Sequence, residues 1–161
     1  MNKNFWLLFL MITSSFSFAQ TENENLNTQI KEMKEYLLQG DYENYTNYVY
    51  PKIIEMMGSK KNMVVATENG INNMKAGGLS ILDLKYKNPS KFFEKENELQ
   101  CSLTQVTVMQ TPNGKIEKEN AFIAISDDDG QNWTFINTDN KDKETVLETF
   151  PNLHSDIFVT D

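Results

Sequence analysis

The chain has 161 residues, 39% of them hydrophobic, with 23 acidic side chains against 15 basic ones and a formal charge of -8. Every basic residue is lysine, so the guanidinium fork that reads phosphates and base edges is missing, which argues against nucleic acid as a partner. Cys101 and His154 are the single cysteine and histidine; an intramolecular disulfide, zinc sites built on several such residues and Cys-His nucleophile pairs are excluded by count or by type.

Lys3, the apolar run Phe5 to Ile12, and the small residues Ser17 and Ala19 before Gln20 read as a secretory signal peptide over 1–19. The run is far shorter than the roughly 20 apolar residues that span a bilayer, and no cysteine stands near the cleavage point to carry a lipid. The expected product is a periplasmic or extracellular chain with no membrane span. Residues 20–161 suit one α+β domain, and loss of Lys3 takes the formal charge from -8 to -9.

Leu26, Ile30, Met33 and Leu37 recur at helical spacing and predict an amphipathic helix ending near Gln39. Gly40 is a stop signal and Asp41 a cap for the next helix. That segment carries Tyr42, Tyr45, Tyr48 and Tyr50 before Pro51, and Pro51 suits the first turn of a fresh helix to Met57. Ser59 caps a further helix with Met63, Val64, Ala66, Ile71 and Met74 as its apolar positions, stopped at Gly77-Gly78. Gly70 within it costs about 1 kcal/mol relative to alanine.

From Leu79 the period changes to two. Leu82, Leu84 and Tyr86 predict the buried side of a strand ended by Asn88-Pro89-Ser90; Phe92 and Phe93 stand in a connector. Leu99, Cys101 and Leu103 hold one phase, and Val106 and Val108 the other. A β-bulge between Thr104 and Gln105 would produce that change and bend the sheet. Lys115 to Ser126 predicts the next strand, with Phe122 to Ile125 buried on both faces, and Trp133 to Asn137 the last, with Trp133 and Phe135 on one side. Turns at Pro112-Asn113-Gly114 and Asp127 to Gly130 join these three into a meander. Asp142 caps a short final helix ended by Pro151, and Ile157-Phe158-Val159 is apolar enough to dock.

Ser126, Asp128, Gly130 and Trp133 fit S-x-D-x-G-x-x-W, the pattern of the Asp-box hairpin of sialidase propellers, and read as a structural turn. The three aspartates lack the spacing of a calcium loop, because Ile125 stands where the first ligand belongs; no metal or other cofactor is expected. Tyr42, Tyr45, Tyr48, Tyr86 and Trp133 are candidate pocket residues, phenols and indole facing the sheet. Cys101 reads as a small buried hydrophobe. Asp83 and Asp128 are the acids nearest a strand and a turn, but no displaced carboxyl pKa, the mark of acid–base catalysis, is legible, and the catalytic residues, if any, are unknown.

N-terminal helices followed by a curved antiparallel sheet resemble the nuclear-transport-factor-2-like superfamily, which includes ketosteroid isomerases and polyketide cyclases. Gly40-Asp41-Tyr42 through Tyr50-Pro51-Lys52-Ile53, Gly130 to Ile136 and Phe150-Pro151-Asn152-Leu153 carry a likeness to its exported bacterial members. The resemblance implies a cone, with helices lying across a bent sheet around a pocket. Fold alone assigns no catalytic role. The leading expectation is an exported non-catalytic module that binds a small apolar ligand or an envelope or extracellular partner. The alternatives are a small isomerase or dehydratase using a pocket aspartate and tyrosine, and a homodimer through the outer sheet face.

Overall fold

The computed structural model describes residues 24–138 and 141–158; the signal-peptide reading over 1–19 and the docking of Val159 lie outside them. The architecture is α+β, with helices first and an antiparallel, unclosed five-stranded sheet after them. No helix among the described residues is long and apolar enough to cross a membrane.

Helix α1 occupies 24–39 and buries Leu26, Ile30 and Met33. It stops at Gly40, whose φ of +79° only glycine adopts cheaply. Gly40 N–H donates to Leu37 O and Asp41 N–H to Tyr36 O, satisfying carbonyls that the helix end would leave unpaired. Asp41 then accepts from Asn44 N–H and caps α2, Tyr42–Tyr45. A 3-10 turn, Thr46–Tyr48, and an extended Val49 follow. The tyrosine segment is therefore shorter as a helix than its spacing implies. The residue before Pro51 is kept out of the α region, and Tyr50 N–H instead donates to Phe135 O at 3.0 Å. Helix α3 is Pro51–Met56 and α4 is Lys60–Ala76, capped by Ser59. None of α4's apolar residues is fully buried.

The strands are β1, Ser80–Lys87; β2, Phe93–Lys95; β3, Glu98–Thr111; β4, Gly114–Ser126; and β5, Thr134–Asn137. Their order is β1-β3-β4-β5, with β2 beside the first residues of β3 on the edge that β1 occupies further along. The β3–β4 register runs unbroken from Leu99 opposite Ser126 to Thr111 opposite Gly114, so the expected bulge at Thr104–Gln105 is absent. The irregularity is in β1, between Ile81 and Asp83, and it leaves Leu82 exposed where alternation had placed it inside.

The change of phase along β3 has a different cause, a change in which face is covered. Cys101 and Leu103 join Phe122, Ala124 and Phe135 against Leu26, Ile30 and Met33 of α1. On the opposite face Ile123, Ile125 and Ile136 meet Val146, Phe150, Leu153 and Ile157. Those residues come from α5, Lys143–Thr149, which Asp142 caps through Thr145 N–H, and from the segment after it. Phe122 to Ile125 are thus buried on both faces, as their unbroken apolar run implies. Further along β3, Val106 lies between Lys85 and Glu119 in the register. Lys85 reaches Glu117 at 2.9 Å and Lys87 reaches Glu119 at 2.6 Å. These ion pairs bridge β1 to β4 across β3 over the stretch that holds Val106, which is 3% exposed.

Candidate functional site

The acidic turn is assembled from its own sequence outward. Asp129 and Gly130 both take positive φ, +58° and +79°. Asp128 accepts from Ser126 Oγ–H at 2.8 Å, from Asn132 N–H at 2.8 Å and from Asn132 Nδ2–H at 2.6 Å. Burial opposes ionisation of Asp128, but these bonds and one from Gln131 N–H outweigh it and hold the carboxyl below its ordinary value. Ser126 Oγ accepts from Gly130 N–H at 2.9 Å, and Trp133 Nε1–H donates to Gly130 O at 3.0 Å. Helix α1 is fastened to this turn. Asn25 Nδ2–H donates to Gly130 O, Gln29 Nε2–H donates to Gln131 O, and Gln29 Oε1 accepts from Trp133 N–H.

Of the five candidate pocket residues, Tyr48 and Trp133 line one cleft together, and Tyr42, Tyr45 and Tyr86 line none of those described. Tyr45, Tyr48, Tyr86 and Trp133 pack in or against the core cluster beneath α1. Trp133 is 1% exposed and stacks on Phe92 at 5.8 Å. Tyr86 lies 5.1 Å from the Phe122 ring, and its hydroxyl accepts from Gln105 Nε2–H; burial raises the pKa of Tyr86 and of Tyr45. Tyr42 stays at the Gly40 corner. Tyr48 donates its hydroxyl to Glu32 at 2.7 Å and stacks on Tyr36. The aromatic face is occupied by its own rings.

Two clefts of about 400 Å³ each lie instead on either side of Asn132 and Thr134, which wall both. One runs between Asn25, Gln29 and Glu32 of α1 and the Asn47-Tyr48 turn. The other runs between Tyr50, Lys52, Glu55, Glu98 and Asp127. Each is a pocket-sized volume. The second has a rigid floor. Tyr50 O–H donates to Glu98 Oε1 at 3.1 Å, while Asn152 Nδ2–H at 2.7 Å and Gln100 Nε2–H at 2.9 Å donate to Oε2. Gln100, wholly buried in β3, also donates to Asn152 O and accepts from His154 N–H. Lys95 donates to the carbonyls of Pro151 and Leu153. Burial, with the Glu98 charge next, pushes the Tyr50 phenol up to about 12.

Sequence reasoning passed over Tyr50, Glu98, Gln100 and Asn152, whose positions are up to 102 residues apart. Gln100 gives no local signal, since it alternates with Leu99, Cys101 and Leu103 as an outward-facing polar residue would.

The reactive groups are quiet. Cys101 is wholly buried, and burial pushes its thiol up to about 12. Lys34 at 2.6 Å holds the Asp83 carboxyl below its ordinary value. His154 stacks on Phe93 at 4.6 Å, and its Nδ1 accepts from Asp156 N–H. Among the described residues no group of three or more His, Cys, Asp or Glu side chains could hold a metal ion. No protein-family model matches the chain, and no curated protein sequence matches it.

Proposed function

We propose that this protein is an exported, non-catalytic binding module of the nuclear-transport-factor-2-like kind, and that its ligand seat is the pair of clefts beside Thr134. The observation that carries the reading is the Tyr50–Glu98–Gln100–Asn152 network, which fixes polar groups at the wall of a cleft of about 400 Å³. Preorganised polar groups in a concave site lower the ordering cost of binding. The helix order, the antiparallel sheet and the α1 layer across one face are in keeping with the cone that the resemblance implies. The seat differs from the apolar one expected from the tyrosine stripe, because Tyr45 and Tyr86 are spent on core packing, while Tyr48 and Trp133 stand at its wall. Isomerase chemistry would need a carboxyl with a raised pKa, whereas Asp83 and Asp128 are held low. Dimerisation through the outer face would compete with α5 and the residues after it, which already cover Ile123, Ile125 and Ile136.

Native mass spectrometry of protein purified from its own host's envelope tests this. The expected result is a mature chain beginning at Gln20 that retains a small molecule, and loss of that molecule in Thr134→Arg. Retention of the same molecule by a folded Thr134→Arg variant, or an empty native protein, would count against the seat.

A further inference from the structure

We infer that the paired clefts take a neutral saccharide, an inference that rests on the seat proposed above and adds the class of its ligand. Charge removes the first competing class. Glu32, Glu55, Glu98 and Asp127 line the two clefts against Lys52 alone, so phosphates, sulfates and uronates meet a repulsive field. Lys60, nearby, is already engaged by Glu43 at 3.1 Å and Asn47 at 2.8 Å.

A cation is the second class. Glu98 accepts from three uncharged donors and Glu32 from the Tyr48 hydroxyl, while Glu55 and Asp127 add their charge at the second cleft, so spermidine is the competing probe in the test.

What remains is a wall of amides and hydroxyls held still by their own bonds. Gln29 is held at both ends of its amide by the turn, Asn132 Nδ2–H donates to Asp128, and Thr134 Oγ1 donates to Ile125 O at 3.3 Å, keeping its oxygen as an acceptor. Such groups both donate and accept, and a sugar hydroxyl does the same. The Tyr48 and Tyr50 rings stand at the two ends, half-buried, with their hydroxyls anchored and their rings packed on Tyr36, Phe135 and Phe150. Rigid amides and hydroxyls of this kind match a ligand whose carbons carry hydroxyl groups.

The test is a titration of the 15N-labelled mature chain with three neutral hexasaccharides, maltohexaose, cellohexaose and hexa-N-acetylchitohexaose, and separately with spermidine as a cationic control. The expected result is shifts of the Asn47, Tyr48, Asn132, Trp133 and Thr134 amides with at least one hexasaccharide and none there with spermidine. Thr134→Val and Asn47→Ala, checked for unchanged thermal melting, should each weaken that binding about threefold to tenfold, the range for one lost hydrogen bond. Shifts at these amides with spermidine alone would overturn the saccharide class and leave the seat standing. Shifts with no probe, shifts confined to other parts of the chain, or variants that bind as well as the parent would overturn the inference, and the first two would count against the seat as well.

Discussion

Asp128 shows how one carboxylate can be structural in a setting that resembles a site. Three donors from Ser126 and Asn132 bond to it, the Ser126 hydroxyl being buried, so Asp128→Ala should destabilise the fold by about 1–3 kcal/mol in urea titration, chiefly the cost of stranding that hydroxyl. Asp83, like Asp128, has its folded pKa below the ordinary 3.8. The unfolded chain therefore takes up protons first, and stability fully present above about pH 4 falls as pH drops through the folded values. Tyr50 gives the opposite limb, since its folded pKa near 12 exceeds the unfolded 10; that stabilisation is complete below pH 10 and disappears as pH rises toward 12. Urea midpoints measured across both ranges check the two signs. Cys101 should resist thiol reagents at pH 8 until denaturant unfolds the chain, because only the exposed thiolate reacts. Of these residues Ser126, Asp128, Gly130 and Trp133 were legible, since a hairpin turn closes on itself within a few positions. Glu98 was not, because its three partners come from three different segments.

Elements whose limits are set by local chemistry were read well from sequence. Gly40, Asp41, Ser59 and Asp142 act where a helix must stop or start, through bonds to residues within five positions. The phase change of β3 was misassigned to a bulge because its cause is tertiary: α1 covers one stretch and lysine–glutamate ion pairs cross the other. Two glycines in one segment test the local reading. Gly70 lies inside α4 with open space where a Cβ would go, so Gly70→Ala should stabilise by about 0.5–1 kcal/mol. Gly78 has φ +77°, and a Cβ there would stand 3.1 Å from Pro112 Cγ. Gly78→Ala should therefore destabilise by about 1 kcal/mol or more, through left-handed strain and that contact together. Thermal melts of the pair should move in opposite directions.

At the scale of the whole molecule, the sheet carries α1 on one face and α5 with the following residues on the other. The unbroken apolar run along β4 made two covered faces readable at Phe122 to Ile125, yet it could not show which segments supply the covers. The paired clefts were hidden for the same reason. Their walls come from α1, from the turn after α2, from the start of β3 and from the residues before β5, brought together by packing. The C-terminal residues serve the site as well as the core, since Asn152 holds both Glu98 and Tyr50. Asn152→Ala should thus weaken ligand retention while α1 and its turn stay folded, which native mass spectrometry and circular dichroism together would register. The most direct test of the central claim is hydrogen–deuterium exchange on protein purified from its host's envelope, compared with the same protein unfolded, dialysed and refolded. If the clefts beside Thr134 hold the ligand, the native preparation will be protected at 47–50 and 132–134 and the stripped one will not. Identical exchange in those two stretches, or protection confined to other parts of the chain, would contradict the assignment.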